Sequence, residues 1–440
     1  MVRLPEVPAA RDPAWRLGHA VLGPVFTAFT ILLLRAAASA GLRRLAFVAR
    51  DGEFLLDLAR RLAPHWPGAL PDFAYLQLSR VATSLPAEPV FDIDSLRRAA
   101  AIRVDQLSAA TLFGYYGIPA SMLTGAGARL GLDLLAPLTD AAALGRLAPL
   151  LEDPALRTAI ATRRAMQTRL LESYLRQHAV YDQPDVALVD IGWRGSIPRA
   201  LCRAFPAAWR SVPLRVVQLG YRAPAGAGEA DRVHIAGLLG DPARRRVLRE
   251  VVPEQLAFLL EGVCRARHAP VVGYRAGAAG RVEPVCADDH PPHPLEQRTV
   301  GLQEALRDGI RAHLDAHRAA WMAHSDARLR ELAQRQLLRL GFFPTREEVA
   351  VFGQLVHTEG HARTWARPLI DPVQPVWYRQ PRRWLGGLSS PWRGGYVAAS
   401  AGPAAAVAYY LFEAARARLP AGLQARIENL ARRAGRVRNV

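Results

Sequence analysis

The first half of the chain alternates short apolar runs with longer amphipathic ones. Residues 45–49 are apolar and are followed at once by polar turn residues, which is typical of a buried strand. Apolar residues then recur at helical spacing over 53–62, and Pro64 ends that pattern. Four further apolar segments predict strands: 73–78, 186–189, 214–221 and 233–238. This alternation predicts an α/β protein with a doubly wound, mostly parallel sheet.

The remaining segments predict helices around that sheet. Residues 95–178 have helical periodicity and predict a helical insertion, and helix formers dominate 302–340. A stretch rich in Gly, Pro and Asp, 270–294, predicts a hairpin and a linker. Thr345 and Glu348 have the spacing of a capping box. The predicted units are an α/β phosphate-binding domain over 1–240 that contains the helical insertion, a short β and linker region over 241–294, and a mainly helical region over 295–440.

The charge of the chain limits its partners. The 440 residues carry a formal net charge of +18, and all 57 basic residues are arginines, whose planar donor forks suit phosphate and carboxylate groups. The arginines are scattered in pairs rather than gathered in an arm that follows a nucleic-acid backbone, so we do not expect a nucleic-acid partner. The charge favours phosphorylated metabolites and leaves a peripheral contact with an anionic membrane open.

Cysteine usage and hydropathy bear on the compartment. The three cysteines are far apart in the sequence: Cys202, Cys264 and Cys286. Their odd number and spacing indicate a reducing compartment. The apolar segment 20–34 is shorter than the roughly twenty residues of a spanning helix, and Gly23-Pro24 interrupts it. We therefore expect a buried core helix there, no transmembrane span, and a cytoplasmic protein.

The segment after the predicted strand 186–189 holds the more specific chemical pattern. Asp190 follows the strand, two glycines open a turn, and a serine stands at the start of a helix. Backbone N–H groups freed by the glycines can bind a phosphate at the helix N-terminus, and the arginine between them can add a bidentate clamp. Asp190 then becomes a catalytic residue that holds Mg²⁺ or a sugar hydroxyl. The predicted ligand-binding residues of this loop are Gly192, Trp193, Arg194, Gly195 and Ser196. The structural alternative is a tight turn in which the serine only caps the helix.

A second loop of the same form follows the first predicted strand. Arg50 and Asp51 stand at the strand end, and Gly52 permits close approach of the backbone. We predict Asp51 as a catalytic residue and its two neighbours as phosphate ligands, the structural alternative being an ion pair beside a capped helix. Ser79 and Arg80 end the neighbouring strand and join the site by position. Ligands of doubly wound sheets bind beyond the carboxyl ends of the strands, where these loops are expected to meet.

A histidine pair in the last third of the chain has a spacing that could form a metal site on a helix. His357 and His361 are four residues apart, with Glu359 between them. The order is not His-Glu-x-x-His, so we do not expect zinc protease chemistry.

Several short strings resemble a group of bacterial proteins identified as predicted hydrolases of the haloacid dehalogenase (HAD) superfamily, which occur among surface-polysaccharide and glycosyltransferase genes. The matching strings are 22–24, 47–52, 79–80, 189–196, 260–261, 272–274 and 344–348. The resemblance implies action on a phosphorylated sugar or nucleotide sugar in surface-polysaccharide synthesis, with a glycosyltransferase as a further candidate partner. HAD phosphatases end their first strand with Asp-x-Asp-Gly-Thr. Asp51 matches the second aspartate, the acid/base, whereas Ala49 stands in the place of the nucleophile.

The same two loops are similar to those of phosphoribosyltransferases. Residues 48–52 resemble the pyrophosphate loop, and 189–195 resemble the loop that binds ribose 5-phosphate, with Asp190 as its second acid and Gly195 as its glycine. Val189 and Arg194 depart from that pattern. Three hypotheses therefore stay open: a hydrolase or transferase for phosphorylated sugars, a phosphoribosyltransferase-like enzyme, and a non-catalytic partner of a glycosyltransferase.

Overall fold

The computed structural model describes most of the chain. The described part consists mainly of helices around one central sheet. The described residues are 12–101, 107–138, 141–221, 232–240, 248–287, 294–359, 365–370, 379, 390–419 and 423. The strands are β1 (Arg44–Val48), β2 (Asp72–Leu76), β3 (Val186–Trp193), β4 (Leu214–Tyr221), β5 (Val233–Gly240), β6 (Val271–Ala276), β7 (Val282–Cys286), β8 (Val356–Glu359) and β9 (Trp365–Pro368). The helices are α1 (Pro13–Leu17), α2 (Gly23–Ser39), α3 (Gly52–Leu62), α4 (Arg80–Ser84), α5 (Ile93–Ala101), α6 (Ala109–Gly114), α7 (Thr124–Arg129), α8 (Ala141–Gly145), α9 (Ala148–Glu152), α10 (Pro154–Gln177), α11 (Ser196–Ala204), α12 (Leu248–Gln255), α13 (Ala257–Cys264), α14 (Pro294–Arg298), α15 (Val300–Met322), α16 (Asp326–Phe342), α17 (Arg346–Phe352) and α18 (Arg393–Ala417).

Five strands form one parallel sheet in the order β2-β1-β3-β4-β5. Phe47 of β1 lies between Tyr75 of β2 and Val189 of β3. The predicted α/β fold with a doubly wound sheet is confirmed, and its strands are all parallel. The chain moves from β1 outward to β2 and then returns to the other side of β1, so the order reverses between β1 and β3. Sheets of this kind bind ligands at such a reversal, beyond the carboxyl ends of the strands.

Both faces of the sheet are buried. Phe47 and Val189 point into a large hydrophobic cluster with α2, α3, α13, α15 and α16. Val48 and Leu188 belong to a second cluster with α10, α11 and the hairpin of β6 and β7. Burial on both sides explains why these strands read in the sequence as continuous apolar runs rather than as alternating patterns.

The helical end of the chain shares the core of the sheet. The first cluster runs from Ala14 to Ala417 and includes Leu306 of α15 and Leu337 of α16. The helical insertion has a cluster of its own around Phe113. The C-terminal helices therefore complete the α/β core, and the division of the chain at residues 240 and 294 stays a prediction.

The apolar N-terminal segment forms a longer helix than the sequence predicts. The helical run Pro13–Ser39 comprises 27 residues, and a π-helical turn at Gly18–Leu22 joins α1 to α2. Pro24 does not end the helical run; it lies in the first turn of α2, directly after the π-helical turn. Length and composition would allow this helix to cross a membrane, but 94% of its most apolar window is buried inside the fold. Among the described residues it is therefore weak evidence for a span, and the expected core helix is what the structure shows.

Strand β3 is also longer than predicted. The sequence places a loop from Asp190 onward, whereas β3 continues to Trp193. Asp190 pairs with Gln218 of β4, and Gly192 pairs with Gly220. The register with β4 extends the strand, so the turn is confined to the two residues before α11.

The smaller predicted features have mixed outcomes. The hairpin of β6 and β7 is present, and Thr345 and Glu348 form the capping box of α17. His357 lies in strand β8, so it has no helical face to share with His361, which lies outside the described residues.

Candidate functional site

Asp51 lies at the carboxyl end of β1, immediately before α3. Its side chain makes no capping hydrogen bond to the helix, so the capping part of the structural alternative is not what the structure shows, while the ion pair stays a prediction. Gly52 lets α3 begin close to the strand, because a Cβ there would lie 2.8 Å from the carbonyl carbon of Phe47. Close packing of helix on strand thus sets Asp51 at the strand end.

Asp190 lies one strand away, near the same end of the sheet. Its Oδ1 accepts a hydrogen bond from the N–H of Ile191 at 2.8 Å. Burial raises the pKa of Asp190 well above its usual range, and the charge of Asp51 raises it further. Burial likewise raises the pKa of Asp51. The structure therefore brings the two predicted catalytic residues together, as the carboxyl-edge argument expects.

A third carboxylate, Glu261, comes from α13. It is the only charged residue in the helix sequence Ala-Phe-Leu-Leu-Glu-Gly-Val-Cys, and its Oε1 accepts a hydrogen bond from the indole N–H of Trp193 at 2.9 Å. Burial, aided by the charge of Asp51, raises the pKa of Glu261 to about 7. A carboxyl group with a pKa near neutrality can both take up and release a proton during a reaction at pH 7. Asp51, Asp190 and Glu261 are called the acid cluster below.

Trp193 orients Glu261. The indole is buried beside Gly220, where a Cβ would lie 2.7 Å from the ring. Its backbone φ of +142° is uncommon for a residue other than glycine, and such strain persists where the surroundings over-determine it. The sequence predicts Trp193 as a ligand contact, and the structure shows its indole N–H donating to Glu261.

Arginine side chains partly compensate the negative charge of the acid cluster. The positive charge of Arg80 partly opposes the upward pKa shift of all three carboxyl groups, and that of Arg50 opposes the upward shift of Asp51. Arg80 is exposed, and its guanidinium makes no hydrogen bond or ion pair with another residue in the part of the chain that the structure describes. A guanidinium in this setting can bind a phosphate in bidentate geometry.

Two further arginines act on the acid cluster from fixed positions. Arg265 and Arg307 also lower the pKa of Asp51. Arg265 pairs with Glu296 at 2.6 Å, and Arg307 donates from Nε to the carbonyl of Val263 at 2.8 Å. These contacts hold both side chains in place, so they supply a fixed positive field rather than a flexible clamp.

Ser79 has a structural role. Its hydroxyl accepts a hydrogen bond from the N–H of Ala82 at 3.0 Å, which caps α4, and donates to the carbonyl of Val271 at 2.5 Å. The residue thus joins the end of β2 to the hairpin. Its predicted contact with a ligand stays a prediction.

The two glycines of the Asp190 segment allow close packing. Both have positive φ, +131° at Gly192 and +64° at Gly195. A Cβ at the first would overlap the carbonyl oxygen of Gly220, and one at the second would overlap the side chain of Ile235. Gly195 also occupies the N-cap position of α11, so the alternative in which Ser196 caps the helix is not what the structure shows.

Arg194 and Ser196 stay candidates for the phosphate. Both side chains are exposed at the start of α11. Helix α11 packs against α4, which begins with Arg80, so the segments that precede these two helices lie in the same part of the molecule. A phosphate bound between them would receive donors from both predicted loops.

The acid cluster does not have the arrangement of a preformed metal site. Among the described residues, the group of three whose ligand atoms all lie within 4.8 Å of one another consists of histidines, and the acid cluster does not meet that criterion. One oxygen of Asp190 already accepts a backbone hydrogen bond. Mg²⁺ at Asp190 therefore stays a prediction to which this geometry adds nothing.

Sequence reasoning did not select Glu261 for its chemistry. The available signal was a single carboxylate in an otherwise apolar helix, a position where an acid is costly unless it has a partner or a function. The roles of Arg265 and Arg307 depend on long-range packing, and no local pattern marks them.

A cavity of about 220 Å³ lies away from the acid cluster, between α10 and the hairpin. Its lining residues are Arg163, Met166, Gln167, Val272, Gly273, Tyr274 and Val285. The amide of Gln167 already bonds both backbone groups of Tyr274, at 2.9 and 3.0 Å. The lining contains no carboxylate, so the chemistry favours the acid cluster as the candidate site.

Comparison of the chain with protein-family models and with curated proteins gives no match. The likeness to HAD hydrolases and to phosphoribosyltransferase loops therefore stays a prediction from the sequence.

Proposed function

We propose that the chain is a hydrolase or transferase that acts on a phosphorylated sugar or nucleotide sugar at the carboxyl ends of β1 and β3. The observation that supports this most is the position of Glu261, with its pKa of about 7, beside Asp51 and Asp190. Titratable groups with perturbed pKa values cluster at functional sites more often than elsewhere. The setting in bacterial surface-polysaccharide synthesis rests on the sequence resemblance alone, and a cytoplasmic location rests on the cysteine usage and hydropathy of the sequence.

The charges fit a ligand that carries both phosphate and hydroxyl groups. Arg80 and Arg50 bind the phosphate, and Arg194 and Ser196 are further candidate donors. Asp190 accepts a hydrogen bond from a sugar hydroxyl. This division explains why carboxylates and arginines occur together, since a site for phosphate alone has no use for three acids.

Glu261 acts as the base in this proposal. Water or an acceptor hydroxyl attacks the sugar carbon, a new C–O bond forms, and the bond from that carbon to the phosphate oxygen breaks. The proton of the attacking hydroxyl passes to Glu261, and the phosphate or nucleotide leaves with the bonding electrons. This path needs no attacking side chain, which accords with Ala49 in the place of the HAD nucleophile.

The test is a thermal-shift panel on wild type, Asp190→Ala and Arg80→Ala. The panel contains nucleotide sugars, sugar phosphates, phosphoribosyl diphosphate and inorganic phosphate, each with and without Mg²⁺. A ligand at a hundredfold excess over its Kd stabilises the folded chain by about 2.7 kcal/mol. We expect a nucleotide sugar or sugar phosphate to raise the Tm of wild type, to lose most of that effect in Asp190→Ala, and to lose about half of it in Arg80→Ala. Arg97→Ala is the matched control, because Arg97 is exposed and pairs with Asp94 on α5.

Two other outcomes of this panel would support the alternative hypotheses. A shift given by phosphoribosyl diphosphate alone would replace this proposal by the phosphoribosyltransferase-like hypothesis. If no phosphorylated compound changes the Tm of wild type, the phosphate argument fails and a non-catalytic partner of a glycosyltransferase becomes the leading hypothesis.

A further inference from the structure

Three histidines from distant parts of the sequence meet between the N-terminal helix and α15. His19 lies in the π-helical turn, while His313 and His317 are four residues apart on α15 and so share a face. The ring centroids are 5.2 Å apart for His19 and His313, 5.6 Å for His19 and His317, and 4.7 Å for the pair on α15. One nitrogen of each ring lies within 4.8 Å of the other two. These residues are called the histidine cluster.

The cluster contains buried nitrogen atoms without hydrogen-bond partners. His313 is only 2% exposed, and neither of its ring nitrogens makes a hydrogen bond; the backbone of His19 faces the ring without reaching hydrogen-bond geometry. His19 is 7% exposed, and its Nδ1 is also unsatisfied. Most buried polar atoms in proteins have a partner, so unsatisfied ones call for an explanation, such as an ion.

Glycines allow the two helices to approach closely enough for the histidines to meet. Gly23 faces His313, where a Cβ would lie 2.5 Å from the histidine Cβ. A Cβ at Gly309 of α15 would overlap the carbonyl oxygen of Trp15 and approach the N–H of His19. π-Helical turns occur frequently at functional sites, and this turn carries His19.

From this geometry we infer that the histidine cluster binds a divalent transition-metal cation of the zinc class. Imidazole nitrogen is a preferred ligand of Zn²⁺, whereas Mg²⁺ and Ca²⁺ prefer oxygen. Three histidines leave a fourth tetrahedral position for water or another small ligand. With Zn–N bonds of about 2.0–2.1 Å at tetrahedral angles, two ligand nitrogens lie about 3.3 Å apart. Nitrogens that now lie within 4.8 Å of one another must therefore approach by up to about 1.5 Å on binding.

The protonation states of His19 and His313 agree with this inference. Burial lowers the pKa of His313 to about 3 and also lowers that of His19, and the neighbouring His317 contributes in both cases. Metal ligation needs the neutral imidazole, so these side chains are in the ligating form at pH 7 without losing a proton.

The aromatic surroundings favour a dry, shaped site. The ring of Trp15 stacks on His19 at 5.1 Å, and that of Trp321 lies 5.7 Å from His313. The competing explanation is an aromatic cluster that only packs the two helices. Such a cluster would have no affinity for a metal, which makes the two explanations separable by direct binding.

The test is metal binding to the full chain after chelator treatment and desalting. Equilibrium dialysis against Zn²⁺ should give one tightly bound equivalent. In His317→Ala, which changes the half-buried member of the cluster, we expect the affinity to fall at least about tenfold to hundredfold. His65→Ala is the matched control, since His65 is exposed and lies outside the cluster, and its affinity should equal that of wild type.

Cobalt(II) supplies a second measurement. Tetrahedral Co²⁺ on three imidazoles should show d–d absorption without the thiolate charge-transfer band that cysteine ligands would add. Far-UV circular dichroism and Tm of the metal-free variants separate loss of ligation from loss of fold. The inference is overturned if wild type binds no Zn²⁺, if His317→Ala and His19→Gln bind it as wild type does while folded, or if the cobalt spectrum reports thiolate. This test measures binding directly, so its result does not depend on the proposed function.

Discussion

The acid cluster and the histidine cluster are each three titratable side chains that are partly or fully buried, yet their surroundings differ. Burial raises the pKa of Asp190 and Glu261 and lowers that of His19 and His313, so in both places it favours the neutral form. Around the acids, however, the protein supplies arginines of opposite charge. Around the imidazoles, neither pKa shift includes a contribution from a carboxylate. The acid cluster therefore suits a ligand of mixed charge that binds reversibly, and the histidine cluster suits a cation.

The largest expected effect tests the chemistry of the acid cluster. Glu261→Gln keeps an oxygen that accepts the indole N–H of Trp193 but removes the titration. We expect turnover of the sugar substrate to fall by about 10²–10⁴-fold, the usual contribution of a positioned acid or base, with ligand-induced stabilisation retained. Steady-state kinetics against Glu347→Gln, an exposed glutamate on α17, would measure it. Equal turnover in the two variants would leave Glu261 without a catalytic role.

The next effect is a pH dependence with opposite signs in the two clusters. The pKa of Glu261 rises from 4.5 to about 7 on folding, which corresponds to roughly 3 kcal/mol. Below pH 4.5 the carboxyl is protonated in the folded and the unfolded chain. Between pH 4.5 and about pH 7 only the folded chain keeps the proton. Rising pH therefore lowers the free energy of unfolding over this range. Glu261→Gln should flatten this part of the curve, measured by urea unfolding at a series of pH values.

The histidines act in the other direction. His313 stays neutral in the folded chain while the unfolded chain takes up a proton, so stability falls as the pH drops below 6.5. A curve for Glu261→Gln that still falls between pH 4.5 and 7 as steeply as that of wild type would show that Glu261 does not dominate the titration.

The effect of Zn²⁺ on the stability of the folded chain should distinguish the two clusters. At a hundredfold excess over Kd we expect Zn²⁺ to stabilise the folded chain by about 2.7 kcal/mol. The same zinc concentration should stabilise His317→Ala by only about 0.4–1.4 kcal/mol, because its site is about tenfold to hundredfold weaker. The increase in Tm should be unchanged in Glu261→Gln, measured by calorimetry. An equal loss in both variants would contradict two independent sites.

The smallest expected effect concerns the exposed edge of the acid cluster. Arg80→Ala should weaken binding of the phosphorylated ligand about tenfold, which is about 1.4 kcal/mol, because an exposed guanidinium is partly screened by water and salt. Titration calorimetry at two salt concentrations would measure the change, with Arg97→Ala as the control. Affinity that does not change in Arg80→Ala would move the phosphate subsite to Arg194 and Ser196.

Local pattern and topology together predict two of the three members of the acid cluster. Asp51 and Asp190 each end an apolar run, and the rule that parallel strands end at one edge brings them together. Glu261 reaches them only through the packing of α13 on the sheet, which no local pattern encodes. The sequence does not predict the full length of β3, because Gly192 is typical of a turn. In the structure its lack of a side chain lets the backbone of β4 pass close by.

The histidine cluster is even harder to predict from local sequence patterns. The spacing of His313 and His317 is a helical signal, but His357 and His361 have that spacing too, and His357 lies in a strand. His19 is nearly three hundred residues away, and only the close approach of the helices makes it a neighbour.

That close approach also affects how the sequence can vary. Gly18, Gly23 and Gly309 bear no functional group, yet backbone or ring atoms of the facing helix fill the space where a side chain would stand. In a library of random variants these three positions would be depleted like catalytic residues, although they contact no substrate. Substitution tolerance alone would then draw attention to a helix seam, and only direct assays of binding would distinguish a packing requirement from a chemical one.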